Sequence, residues 1–165
     1  MDDRGGVHVL WRNSLGGKRD MYASVSSDGG VTFGPADKLG SGTWPLDACP
    51  MDGGAIAVAN RRVETIWRRG SDVFFVEGQQ PERRLGTGEQ PTLALTDHGP
   101  FAAWLTKRGE SLLLLKPGAE QPIQLATHAA DPVIAAGPQG RGPVVAAWEV
   151  RHGKQRSIQC QVVRE

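Results

Sequence analysis

Three observations predict an all-β fold made of repeated units. Helical periodicity is absent, and short apolar runs such as Val7-His8-Val9-Leu10-Trp11, Val73-Phe74-Phe75-Val76 and Ser111-Leu112-Leu113-Leu114-Leu115 alternate with turns rich in Gly, Pro, Asp and Asn. Glycine and proline are abundant, 22 and 11 of 165 residues, which is above the usual share yet below that of disordered chains. The apolar runs also recur in register with four tryptophans, Trp11, Trp67, Trp104 and Trp148.

Each unit reads as up to four strands, A to D, with the tryptophan closing strand B. Ile56-Ala57-Val58-Ala59 (A) turns through Asn60-Arg61-Arg62 into Val63-Glu64-Thr65-Ile66-Trp67 (B). Leu93-Ala94-Leu95-Thr96 turns through Asp97-His98-Gly99 into Phe101-Ala102-Ala103-Trp104, with the same eleven steps from first residue to tryptophan. The last copy, Val133-Ile134-Ala135-Ala136 to Trp148, carries a longer turn through Gly137-Pro138-Gln139-Gly140. A polar loop and strand C follow each tryptophan, and a more polar strand D follows in the first three copies, as in Gln121-Pro122-Ile123-Gln124-Leu125. Four antiparallel strands per unit of about 40 residues is the spacing of a β-propeller blade. The expected units are 1–39, 40–85, 86–125 and 126–165, four blades of a ring expected to hold six, in one domain. The first unit opens in an A–B turn, where Asp3-Arg4-Gly5 echoes Asp97-His98-Gly99, and the last stops after strand C at Glu165. The expectation is a partial ring with open edges prone to self-association; a closed four-bladed ring or two arcs closing as a dimer are the alternatives. The tryptophans are expected to pack between units rather than to stack on sugars, because they repeat in register.

Charge excludes some classes. Nineteen Lys and Arg against eighteen Asp and Glu leave +1, without the basic excess that nucleic-acid binding requires. No run of about 18 apolar residues predicts a membrane span, and Met1-Asp2-Asp3-Arg4-Gly5-Gly6 lacks the apolar core of a signal peptide. Localisation stays open: extracellular or periplasmic if an upstream part carries a signal. Cys49 and Cys160 allow one disulfide at most, and their placement two units apart argues against it. Cys49-Pro50-Met51 lacks a third ligand for a soft metal, so no metal and no cofactor are expected, and Cys49 reads as a small buried residue at a loop base.

Between strands C and D of the first unit stands Ser26-Ser27-Asp28-Gly29-Gly30-Val31-Thr32-Phe33. This resembles the Asp-box, S-x-D-x-G-x-T-[WF], of sialidase-like (BNR-repeat) β-propellers, and it matches at every defined position. Ser26, Asp28, Gly30, Thr32 and Phe33 are read as structural: Asp28 ties a turn by accepting backbone N–H groups, Gly30 takes positive φ, and Phe33 packs between sheets. The segments Trp11-Arg12-Asn13, Arg19-Asp20-Met21, Cys49-Pro50-Met51-Asp52-Gly53-Gly54 and Trp67-Arg68-Arg69 extend the resemblance to bacterial exo-α-sialidase-like proteins. In that family the Asp-box lies opposite the active site, a cluster of arginines clamps a carboxylate, and a tyrosine is the nucleophile.

Strand order puts the B–C loops and D–A connections on the face opposite the Asp-box. Arg12, Asn13, Arg19 and Asp20 flank one B–C loop, Arg68, Arg69 and Asp72 the next, and the long connection Gly40–Gly54 holds Trp44, Asp47 and Asp52. The site reading assigns Arg12, Asn13, Arg19, Asp20, Trp44, Arg68 and Arg69 to ligand binding, with the arginines on a carboxylate and Trp44 stacked on a sugar, and gives Asp47 or Asp52 the acid/base role. Loop-tying pairs such as Arg12 with Asp20 and Arg19 with Asp72 are the architectural alternative. The lone tyrosine, Tyr22, falls within strand C and reads as packing, so this chain by itself is not expected to turn over sialosides. Three functions are carried forward: a glycoside-hydrolase-like protein that binds or cleaves an acidic glycan, a non-catalytic glycan- or protein-binding propeller, and an inactive fragment.

Overall fold

The computed structural model describes residues 2–153 and 155–164. Met1 and Glu165, which bear the expectation of a partial ring, lie outside the described residues. The chain is all-β, and its only helical feature among the described residues is a single 3-10 turn, Pro138–Gly140. No described helix is long and apolar enough to cross a membrane.

Three antiparallel sheets follow in chain order. The first is β1 (Val7–Arg12), β2 (Met21–Ser26) and β3 (Asp37–Lys38). The second is the four-stranded meander expected of a unit: β4 (Ala55–Ala59), β5 (Arg62–Arg69), β6 (Asp72–Glu77) and β7 (Arg83–Thr87). Its first turn, Asn60-Arg61, has φ of +50° and +63°, the mirror-image geometry that matches the right-handed twist of a two-residue hairpin. The third sheet holds β8 (Glu89–Thr96), β9 (Gly99–Leu105), β10 (Glu110–Leu115), β11 (Ile123–Ala135), β12 (Val144–His152) and β13 (Gln155–Val163), each beside the next.

That third sheet departs from the expected pair of separate units. The boundary at 125/126 falls inside β11, whose first half pairs with β10 (Leu114↔Ile123, Leu113↔Gln124) and whose second half pairs with β12 (Ile134↔Ala146, Ala135↔Val145). The strand bends where His128 and Asp131 take φ of +55° and +49°, and the sheet curls so that β11 packs back on β8 and β9. The reason is local. The first two junctions contain glycines that meet the next unit's tryptophan: a Cβ on Gly40 would lie 2.9 Å from Trp67, and one on Gly88 would lie 2.4 Å from both Trp104 and the Leu105 carbonyl oxygen. The third junction has Leu125-Ala126-Thr127 instead, and Leu125 and Ala126 pack on the core, so the chain keeps pairing where the other two break.

Three of the four tryptophans pack between units. Trp67, on β5, sits with Met21 and Leu10 of the first sheet and with Leu39 just beyond β3. Trp104, on β9, sits with Ile66, Val73 and Phe75 of the second. Trp148, on β12, sits with Phe101, Leu112 and Leu114 inside the curl of the third. Trp11 is half-buried and stacks on Tyr22 across β1 and β2 at 6.1 Å.

The Ser26–Phe33 turn links β2 to β3. Asp28 accepts the Ser26 hydroxyl (2.6 Å), the Val31 and Thr32 amides (3.0 and 2.9 Å) and the Thr32 hydroxyl (2.6 Å), while Ser26 Oγ accepts the Gly30 amide (2.8 Å). The Ser26 and Thr32 bonds hold the Asp28 carboxyl well below the usual carboxylate range. Gly30 has φ +95°, as its place in the turn requires. The expected packing of Phe33 does not occur: it is 45% exposed, because β3 is only two residues long and does not extend to cover it. Asp28→Ala should strip the Val31 and Thr32 amides of protection in hydrogen exchange while the strand amides of β5 and β9 exchange as before. Unchanged protection at Val31 and Thr32 would show that the backbone alone holds the turn.

Candidate functional site

The face opposite the Asp-box turn is organised by Asp20, at the start of β2. Its carboxylate accepts the Thr43 hydroxyl (2.7 Å) and the Trp44 amide (2.9 Å) and lies 3.3 Å from Lys38 Nζ. Burial pushes this carboxyl up, but the bonds from Thr43, Trp44 and Lys38 outweigh it and hold it below its ordinary value. Asp20 thus pins the long connection to the first sheet. It does not pair with Arg12, as the architectural alternative supposed, and Asp72 pairs with Arg84 (2.8 Å) rather than with Arg19.

Arg12 ends β1 and reaches across the seam between sheets. It donates to the Arg19 carbonyl (2.8 Å) and the Arg68 carbonyl (2.9 Å), and its guanidinium lies over Trp44, 5.1 Å from the ring centroid. Burial pulls the Arg12 guanidinium below its ordinary value, against the opposing attraction of Asp52 and Asp20. Arg68, in the same register of β5, also lies over Trp44, at 5.6 Å, and bridges Asp52 and Glu89 at 3.3 Å each. Trp44 therefore offers its ring to two guanidinium groups, worth about 0.5–2 kcal/mol apiece, and it is not a wall of the cavity described next. Arg69 points to the other side of β5, forks onto Glu82 (2.7 and 2.9 Å) and lies over Phe74 at 3.8 Å, so it clamps a loop and does not face that cavity.

A cavity of about 320 Å³ opens between the B–C loop of the first sheet and the long connection. Arg12, Asn13, Arg19, Cys49 and Asp52 form its walls. Asn13 uses its carbonyl oxygen on the Ser14 amide (2.8 Å), and Arg19 holds the Ala48 carbonyl through Nε (2.8 Å). Asp52 is 9% exposed and uses Oδ2 on Arg68 and on the Gln90 amide (3.1 Å). Three buried polar atoms of these side chains, shielded from solvent, have no hydrogen-bond partner within the protein: Arg12 Nε, Arg19 Nη1 and Asp52 Oδ1. Asp47 is exposed and stands outside the cavity. Cys49, expected to be buried, is exposed at the rim of the cavity, and both cysteines are free. Among the described residues no group of three or more His, Cys, Asp or Glu could hold a metal ion.

Sequence reasoning missed the continuation of this face. Gln90 and Asp131 each precede a proline just ahead of strand A in the third and fourth units. They join side chain to side chain (2.9 Å), and the Asp131 amide donates to Gln90 Oε1 (3.1 Å). Arg108 forks onto Asp131 at 2.5 Å, and its amide donates to Glu89 (2.6 Å). Gln90 and Asp131 both have φ near +50° and both precede proline, and the pairing slips beside each, so the same bulge is built twice. The available signal was the recurrence of a polar residue before proline, Gln90-Pro91 and Asp131-Pro132, just ahead of strand A in two successive units. A groove of about 240 Å³ runs from Asp52 past Gln90 to Asp131, adjoining the cavity.

Comparison with known proteins returns no matching family model, no matching curated protein and no matching solved structure.

Proposed function

We propose that this chain is a sialidase-like propeller module whose arginine-rich face binds a carboxylate-bearing glycan. The repeat spacing, the meander β4–β7, the seam tryptophans and the complete Asp-box turn support the propeller reading. The two guanidinium groups that line the cavity, Arg12 and Arg19, with the Asp52 carboxylate beside them, carry the binding reading. A carboxylate entering the cavity meets the Arg12 and Arg19 guanidinium groups, and a sugar hydroxyl meets the Asp52 carboxylate. The groove toward Asp131 gives room for a second sugar.

Binding without hydrolysis is the favoured form of this reading. Asp52 is the single carboxylate on the cavity wall, Asp47 stands outside it, and Tyr22 is stacked on Trp11 in the first sheet. Hydrolysis by paired carboxylates, or by a tyrosine with an acid, needs a second group there.

Calorimetric titration with N-acetylneuraminate should show saturable binding that its methyl ester loses. Arg19→Gln should weaken it roughly 10–100-fold, the equivalent of one charge-assisted hydrogen bond, with the thermal midpoint nearly unchanged. Equal binding of acid and ester, or of wild type and Arg19→Gln, would count against the site. Release of methylumbelliferone from a sialoside, abolished by Asp52→Asn, would replace binding with catalysis.

A further inference from the structure

A second cavity, of about 350 Å³, opens at the opposite end of the molecule, in the seam between the second and third sheets. The seam's two ends differ in how they close. At the arginine-rich end Arg68 crosses it to Glu89, and Trp104 fills it. At the Asp-box end Asn60 bonds Asp97 and Arg62 bonds the Thr96 carbonyl, tying β4 and β5 to the turn after β8. Farther out, toward β7 and β10, the third sheet presents Gly99-Pro100, Ala102 and the turn Pro117-Gly118-Ala119, residues too small to fill the space.

The walls combine two chemistries. Phe75, Leu85, Ala102 and Leu115 form an apolar floor, and Arg83 and Lys116 stand over it from opposite sheets. Arg83 lies over the Phe75 ring at 5.6 Å. Neither Arg83 nor Lys116 has an acidic partner among the described residues, whereas Arg69, Arg84, Arg108 and Arg151 are each paired. Glu77 also lines the cavity, and Arg62 beside it lies 3.9 Å from the buried Glu64. The volume is at the lower end for small-molecule sites, about 300–1,000 Å³.

We propose that this seam cavity binds a small organic anion with a flat apolar body, its carboxylate between Arg83 and Lys116 and its body on Phe75, Leu85 and Leu115. This site is separate from the glycan face and does not depend on that reading. Two unpaired cations over an apolar floor favour such a ligand over a neutral apolar one, which would leave the cations unanswered, and over a free phosphate, which would leave the floor unused.

The probe is 2-naphthoate, titrated calorimetrically into the full chain, with 2-naphthylmethanol as its neutral counterpart and amide shifts as the map. Saturable binding of the naphthoate is expected, with shifts at Gly99 and Leu115–Ala119 and at least tenfold weaker binding of the alcohol. The double variant Arg83→Gln, Lys116→Gln should weaken the naphthoate at least tenfold, while Arg19→Gln leaves it unchanged. Arg83 is exposed and Lys116 half-exposed, and a thermal melt verifies that the double variant keeps the fold. The proposal is overturned by absence of binding at millimolar naphthoate, by equal affinity for acid and alcohol, by indifference to the double variant, or by shifts confined to the arginine face. Loss of glycan binding on Arg19→Gln with naphthoate binding intact would keep the two sites distinct; the reverse pattern would reject this one alone.

Discussion

Trp104→Ala is expected to destabilise the fold by about 3–5 kcal/mol, the cost of emptying a large buried aromatic site that cannot collapse. Trp104 is 1% exposed and fills the seam between the second and third sheets against Ile66, Val73 and Phe75. The backbone beside it is equally tight, with Gly88 packed so closely that no side chain fits there. For a chain of this size the thermal midpoint should fall by roughly 6–20 °C. Trp11→Ala is the comparison, because Trp11 is half-buried and stacks on Tyr22 of its own sheet; its effect should be less than half as large. Urea unfolding of the two variants decides the matter. Similar losses would mean that the seams do not carry the stability.

Glu64 should make the protein less stable as pH rises from about 5 to 8. It lies on β5 between Ala57 of β4 and Glu77 of β6, fully buried, and neither of its oxygens has a hydrogen-bond partner. Burial, reinforced by Glu77, pushes its carboxyl up from 4.5 to about 7, and Arg62 only partly offsets this. A folded-state pKa above the unfolded value means that the folded chain holds the proton more tightly. Below about 4.5 both states are protonated and there is no penalty. Between about 4.5 and 7 the penalty grows, and above 7 it is complete, at about 3 kcal/mol. Glu64→Leu removes the titration. Its gain in stability over the wild type should be about 2.5 kcal/mol larger at pH 8 than at pH 5, measured by urea unfolding at both. Parallel pH profiles for the two proteins would show that Glu64 ionises freely in the fold.

Much of the architecture was legible because it is local and periodic. The alternation of Ile56–Ala59 with Val63–Trp67, split by Asn60-Arg61, has one hairpin solution, and the structure adopts it as β4 and β5. The repeated tryptophan marked the seams for the same reason: a large apolar side chain at one register in each unit must meet the neighbouring unit. The continuous β11 was less legible, since the absence of glycine at Leu125-Ala126-Thr127 gains meaning only once Gly40 and Gly88 are seen against their tryptophans.

For the candidate site, strand order alone placed Arg12, Arg19, Asp52 and Arg68 on one face, because alternating strand direction dictates which loops share an end. Which of them line the cavity was decided by tertiary structure. Arg68 and Arg69 are neighbours in sequence, yet β5 sends one to Asp52 and Glu89 and the other to Glu82. Asp20 and Asp52 are both buried carboxylates, but Asp20 is spent on Thr43, Trp44 and Lys38, while Asp52 keeps one oxygen unpaired. The sequence by itself determined strand, turn, repeat and face, which depend on short-range periodicity. Only the tertiary structure decided which charges are paired and where cavities open, because these depend on distances between side chains brought together from separate sheets.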